Sequence, residues 1–458
     1  MLVRMLVLAV VSAGLLVPTV AASAPAAPAA PTSTVEAAPR KVFTPAGGVT
    51  FNNPMPGSKA QRAILSKLMR SIRATPRGAN IDIFSWNFLT SEGSRALLAA
   101  QRRGVRARLL MAKTNITQID NPPFRRLRAG LAKGNKGRRA DRKSFARVCQ
   151  GTCRSQGGGA HSKIYLFSRV GKAKHVYIQG SANFTNASAW NQWNDIYTHV
   201  NNKRVYDWAL TMFNQAARDK PVSKPYAHEK FGDAELIMFP ATGRKTADPV
   251  MKLLNKVKCR GATNTASKRT VIRIAPDVVR NDRGMRLGKK VRSLWESGCD
   301  VRLGYTVMGI DVGRMLRAGG GRGPVPMRHL AIDSDEDGQF DKYFHLKAMS
   351  IVGNVAGKRN NNVVLNGSAN WSGLSKVSDE NLGIYWRKNV TRRYQDHINY
   401  WYLNFATATG SGRTVAGART VGAAEPRLVF GSGRNTIYED GEPVSTDGTN
   451  PFALMEVD

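Results

Sequence analysis

The sequence predicts an α/β protein of two similar α-β-α halves. Each half carries a mixed, largely parallel sheet, and a pseudo-twofold axis between them places one shared site at their interface. Three observations predict this. Helical and strand-like periods alternate along the chain. The order of these elements occurs twice. Each pass ends in the same motif, His-x-Lys followed by an apolar run and Gly-Ser-Ala-Asn, over 161–183 and again over 345–370.

Residues 1–24 have Arg4, an apolar run to about Val17 and the small-residue ending Ala22-Ser23-Ala24, the pattern of a signal peptide. An exported, secreted protein is therefore expected. Residues 25–41 are rich in Pro and Ala and read as a linker.

The first half spans 42–220. Ile64, Leu65, Leu68, Met69 and Ile72 recur at helical spacing within 60–73. A strand follows at 80–88, then a helix at 91–103 stopped by Gly104, then a strand at 105–111. Residues 125–147 carry ten Lys/Arg against a single acid, Asp141, and read as a mobile basic loop. The first motif and a helix at 204–217 complete the half. Prolines break the periodicity over 220–247.

The second half, 248–406, repeats the order. It has a helix at 248–258, a strand at 270–275, a helix at 283–297, a strand at 300–307, the second motif and a helix at 392–406. The tail 407–458 is rich in Gly and Thr and carries no assigned structure.

Charge narrows the partners. The chain has 69 Lys+Arg against 32 Asp+Glu, a formal net charge of +37. Such a surface draws anions: phospholipid or an anionic membrane surface, or nucleic acid. A monomer is expected. Cys149, Cys153, Cys259 and Cys299 are an even set in an exported chain, which favours disulfides. Proximity suggests Cys149–Cys153 and Cys259–Cys299, one of three connectivities. A zinc site of Cys149, Cys153 and His161 is the alternative. Asp333, Asp335, Asp337 and Gly338 open like a calcium loop, but its twelfth position is Phe344, where a bidentate Glu belongs. No cofactor is expected beyond a structural calcium there. Gly-x-Ser-x-Gly and His-Glu-x-x-His do not occur, so serine-hydrolase and zinc-protease chemistry lack support.

The repeated motif carries the chemistry. Lys163 and Lys347 supply positive charge, and Ser181, Ser368, Asn183 and Asn370 supply neutral donors. Together they suit the charge on a phosphoryl group in transit. A neutral imidazole can attack phosphorus, and a protonated one can deliver a proton to the leaving oxygen. Two histidines, His161 and His345, brought face to face would do both, so each half contributes half of one site. Downstream acids, Asp195 in "NQWNDIY" and Glu380 in "VSDENLGIY", would orient the imidazoles.

On these residues the chain resembles the phospholipase D superfamily, whose signature is a duplicated His-x-Lys, Asp and Gly-Ser-x-Asn. The resemblance implies metal-independent phosphodiester chemistry through a phosphohistidine, with His161 as nucleophile and His345 as acid–base by chain order. The family's Asp, five residues past the lysine, is Ser168 in one copy and Val352 in the other. Three functions follow as expectations: a secreted phosphodiesterase that hydrolyses phospholipid head groups, a secreted nuclease using the same site, and a catalytically weak anion- or membrane-binding member.

Overall fold

The computed structural model describes residues 42–241, 248–333 and 340–409, with short strand segments at 429–430, 437–439 and 442–443. The signal-peptide and linker stretches, Asp335 and Asp337 lie outside the described residues.

The first half contains β1 (Gly48–Phe51), α1 (Ala63–Arg73), β2 (Asn80–Ser85), α2 (Ser91–Arg102), β3 (Arg106–Ala112), α3 (Pro122–Lys133), β4 (Phe145–Cys149), β5 (Lys163–Val170), β6 (Ala173–Gly180), β7 (Asp195–His199) and α4 (Lys203–Ala216). Its seven strands run β1-β7-β6-β5-β2-β3-β4. The second half contains β8 (Ala227–Phe231), β9 (Ala234–Met238), α5 (Pro249–Asn255), β10 (Val271–Ala275), α6 (Asn281–Glu296), β11 (Asp300–Tyr305), β12 (Met327–His329), β13 (Ala348–Val355), β14 (Lys358–Gly367), β15 (Asn381–Tyr385) and α7 (Lys388–Thr409). Its eight strands run β8-β9-β15-β14-β13-β10-β11-β12.

Both sheets are mixed, but antiparallel pairing predominates. Only β2–β3 and β3–β4 are parallel in the first, and only β10–β11 and β11–β12 in the second. The reason is local. The His-x-Lys strand and the Gly-Ser-Ala-Asn strand are joined by a tight turn in each half, with Gly171 at φ 53° and Gly357 at φ 78°. A turn that short joins only antiparallel strands. The same hairpin puts the start of β5 and the end of β6 at one end of the sheet, so both parts of the motif meet there.

Two other expectations change. Residues 125–133 belong to a helix and 145–147 to a strand, so only the middle of the basic stretch is a loop. Asn121 caps α3 by accepting from the Phe124 N–H, and Phe124, Leu127 and Leu131 face the core, while Arg125, Arg126, Arg128 and Lys133 face solvent. Glycines and a charge run hid this 3.6-residue period. The stretch 220–247 carries the β8–β9 hairpin, and β9 pairs with β15 as part of the second sheet.

One face of the first sheet packs on α1 and α2 through Ile64, Leu68, Leu97, Ile83 and Phe167. The opposite face packs on α4 through Ile164, Leu166 and Phe213, and this cluster takes in Leu236 and Met238 of the second half. A further cluster joins Val49, Trp193 and Tyr197 of the first half to Leu346, Tyr394 and Trp401 of the second. The halves therefore share core. At about 25 cal/mol per Å² of buried apolar surface, shared burial of this kind stabilises the packing of one half on the other. Disulfides join Cys149 to Cys153 and Cys259 to Cys299, which leaves no thiolate for zinc.

Candidate active site

His161 and Lys163 stand at the start of β5, and His345 and Lys347 just before β13. All four are buried: His345 and Lys163 have no exposed surface, and His161 and Lys347 are 3% and 2% exposed. Each lysine folds back on its own motif. The Lys163 Nζ donates to the His161 carbonyl at 2.7 Å, and the Lys347 Nζ donates to the His345 carbonyl at 2.9 Å.

Each histidine is held by the opposite half. The His161 backbone N–H donates to the Asp379 carbonyl, and the His345 N–H to the Trp193 carbonyl, both at 3.0 Å. The residue after each carbonyl then reaches the imidazole. Glu380 accepts from His161 Nδ1 at 2.9 Å, and the Asn194 Oδ1 accepts from His345 Nδ1 at 2.8 Å. The orientation of Asn194 is consistent, because its Nδ2 already donates to the Ser188 carbonyl and to Gln192 Oε1. Nδ1 is thus occupied in both rings by a side chain of the opposite half.

The two serines act behind this layer. The Ser181 hydroxyl donates to Asn194 Oδ1 and accepts from the Asp195 N–H. The Ser368 hydroxyl donates to Glu380 Oε2 and accepts from the Asn381 N–H. Ser375 donates to the other Glu380 oxygen at 2.7 Å. The motif's glycines are required by close approach: a Cβ on Gly180 or Gly367 would collide with the carbonyl of Asp195 or Asn381. Asn183 Oδ1 accepts from the Ser85 hydroxyl and the Asn87 N–H, which orients its amide. Asn370 is fixed through its backbone, by Ser375 on its N–H and by buried Arg283 on its carbonyl.

Asp195 is placed differently from its expected position. Its Oδ2 accepts from Asn366 and from the Tyr394 hydroxyl, and it touches neither histidine. Burial pushes its carboxyl above the ordinary range, against the pull of these bonds. The residue on His345 is Asn194, one position earlier. A one-residue shift along a strand moves a side chain to the other face, and backbone pairing decides which is presented. Matching the two copies by these bonds makes Asp195 the counterpart of Asn381, and Asn194 the counterpart of Glu380.

Two further residues border the imidazoles. The Asp277 carboxylate accepts from Lys347 Nζ at 2.8 Å and lies 4.0 Å from His345 Nε2. Trp86 lies edge-on to the His161 ring at 5.8 Å between centroids, with Lys163 Nζ 5.8 Å above its face. Behind Glu380, the buried Asp379 carboxylate accepts from the Cys153 N–H, beside the disulfide and Arg154. Burial pushes Asp379 up to about 7, and Arg154 opposes the shift.

The positions of the missing family Asp lie away from the centre. Ser168 and Val352 are five strand residues past their lysines, roughly 17 Å at strand spacing. Ser168 accepts from the Asn80 N–H, and Val352 pairs with Val271 inside the sheet. Asp333 directly follows the Ala331–Ile332 strand, and among the described residues no group of three or more His, Cys, Asp or Glu is placed to hold a metal ion.

Two imidazoles, each beside the lysine of its own motif and each held by the opposite half, form the candidate site. Residues 69–217 match the family described as "Cardiolipin synthase, PLD-like domain". That stretch contains the first His-x-Lys and Gly-Ser-Ala-Asn motif and is similar to the phospholipase D-like family. The polyphosphate kinase of Porphyromonas gingivalis has a similar fold, at 11% identity and a TM-score of 0.50, over 78% of this chain and 50% of that chain. This chain thus spans half the length of that kinase. The phosphatidylserine synthase of Haemophilus influenzae is similar at 11% identity and a TM-score of 0.49, over 78% of this chain and 86% of that one. Nuc, a phospholipase D family member from Salmonella typhimurium, matches at 16% identity and a TM-score of 0.27, over 38% of this chain and 95% of its own. No curated protein matches at the sequence level.

Proposed function

We propose that the protein is a secreted phosphodiesterase that cleaves phospholipid head groups through a phosphohistidine. The observation that carries the chemistry is the pair of imidazoles with Nδ1 anchored on opposite halves, Glu380 on His161 and Asn194 on His345. The lone pair of His161 Nε2 attacks phosphorus. The bond from phosphorus to the leaving oxygen breaks, and His345 Nε2 delivers its proton to that oxygen. Water then attacks the phosphohistidine, its proton passes to His345, and the P–N electrons return to the imidazole. His161 is the better nucleophile because the Glu380 carboxylate stabilises the positive charge that the ring carries once phosphorylated. His345, with the Asp277 carboxylate 4.0 Å from its Nε2, serves as the proton donor. Lys163, Lys347, Asn183 and Asn370 balance the phosphoryl charge.

The lipid reading rests on where exposed apolar side chains lie. Trp190 and Leu374, each 43% exposed, sit on the short helices Ala187–Trp190 and Gly373–Val377 that follow the two Gly-Ser-Ala-Asn motifs. Among the described residues no helix is long and apolar enough to cross a membrane, so contact with lipid would be at the surface. A second reading, a nuclease, is favoured by the solvent-facing Arg125, Arg126, Arg128 and Lys133 of α3.

Purified protein is assayed with chelator present on phosphatidylcholine vesicles and on plasmid DNA. Head-group release with intact plasmid supports the lipid reading. Plasmid cleavage that falls steeply with salt, with lipid untouched, makes the nuclease correct. Turnover of neither leaves an anion-binding protein and sinks both.

A further inference from the structure

The two lysines of the site are not treated alike. Phe88 pairs with Phe184 in the first half and Val279 with Trp371 in the second, and Phe184 and Trp371 each follow the motif asparagine. Two residues before Phe88 stands Trp86, and two before Val279 stands Asp277. The same place beside the lysine thus holds an aromatic ring in one half and a carboxylate in the other.

Asp277 is fully buried, yet its backbone is fixed independently of its side chain. Its carbonyl accepts from the N–H groups of Thr306 and Val307, both at 2.9 Å, and its φ is 56°. The side chain is aimed at Lys347 and at the reactive nitrogen of His345. The charged groups around this centre are Lys163 and Lys347, with Asp277 and Glu380 opposing them, and Asp195 behind Lys347.

We infer that Asp277 sets the charge state of the phosphate that the site accepts, admitting a singly charged diester and rejecting a doubly charged monoester. The inference rests on the phosphodiesterase reading and names its substrate charge. A phosphate oxygen that reaches Lys347 must share it with Asp277. A second ionised oxygen adds a second repulsion across a few ångströms of water-poor interior, where one pair of unit charges interacts by about tenfold or more in affinity. Hydrolysis of a diester yields a monoester able to take that second charge. The residue that admits the substrate therefore also drives out the product.

The test compares wild type with Asp277→Asn and Asp277→Gly, both compatible with a positive φ. Binding of inorganic phosphate and of dimethyl phosphate is measured by calorimetry at pH 8, where the first is mostly a dianion and the second a monoanion. Both variants are expected to bind dimethyl phosphate on the order of 10-fold tighter and inorganic phosphate on the order of 100-fold tighter, because the repulsion scales with ligand charge. Equal tightening of both anions, tightening of neither, or no binding of either to any of the three proteins overturns the inference. Turnover of bis(p-nitrophenyl) phosphate by wild type is followed separately. Its absence alongside the expected binding ratio would sink the phosphodiesterase reading and leave the charge-setting role of Asp277 standing.

Discussion

The first-half centre and the second-half centre use the same motif and hold it differently. His161 rests on a carboxylate, Glu380, and Lys163 lies against the Trp86 ring. His345 rests on a carboxamide, Asn194, and Lys347 is paired with Asp277. A duplicated motif starts with two equal histidines, and one reaction needs a nucleophile and a proton donor. The proposed roles rest on the difference in imidazole partners, Glu380 and Asn194, each supplied from the opposite half.

The comparison breaks most completely when either histidine is removed. His161→Ala and His345→Ala are each expected to lower turnover on the order of 10⁴-fold or more. They should still differ with p-nitrophenyl esters, whose leaving group needs no proton. His345→Ala should accumulate an acid-labile phosphoenzyme visible by rapid quench, and His161→Ala should form none. A phosphoenzyme in His161→Ala alone would reverse the assignment.

Exchanging the partners is the next largest perturbation. Glu380→Gln removes the charge that supports a phosphorylated His161 and is expected to cost roughly 10²–10⁴-fold in kcat. Asn194→Asp gives His345 the partner that His161 has. It should move the alkaline limb of the kcat profile to higher pH, because a carboxylate favours the protonated ring. A pH profile unchanged by Asn194→Asp would show that the asymmetry of partners does not set the roles.

Asp379 tests the support behind Glu380. Its carboxyl is held up near 7 by burial, above the ordinary carboxylate value of 3.8. A raised folded-state value means that its contribution to stability is complete below about pH 4 and is lost as pH rises through about 7. Asp379→Asn should flatten that decline, so that thermal melts of variant and wild type diverge by a few degrees between pH 5 and pH 8. Parallel melting curves across that window would remove Asp379 as the source.

The smallest effect is expected at Asp195, whose counterpart is already Asn381. Asp195→Asn keeps an oxygen acceptor for Asn366 and Tyr394 and removes a buried acid whose ionisation burial opposes. Its stability above pH 7 should equal or slightly exceed that of wild type, within about 1 kcal/mol by denaturant unfolding. A loss of several kcal/mol would mean that the charge itself holds the halves together.

Much of this was legible from local pattern. The helix at 63–73 follows from Ile64, Leu65, Leu68, Met69 and Ile72, all of which are buried. The His-x-Lys and Gly-Ser-Ala-Asn pairs mark the site because their residue types and repeated spacing are properties of the chain itself. The helix at 122–133 escaped because its polar face is almost entirely cationic and its apolar face is only Phe124, Leu127 and Leu131.

Sequence alone determined the α/β class, the duplication, the two histidine–lysine pairs and the unusual positive charge, since each is carried by residue type and short-range period. Tertiary structure alone decided that Asn194 and not Asp195 meets His345, that Ser181 and Ser368 support Asn194 and Glu380, and that Asp277 stands beside Lys347. Those contacts join residues 12 to 219 positions apart and turn on strand register. Neither separation nor register is encoded in a local pattern. Both are set by the packing of one half against the other.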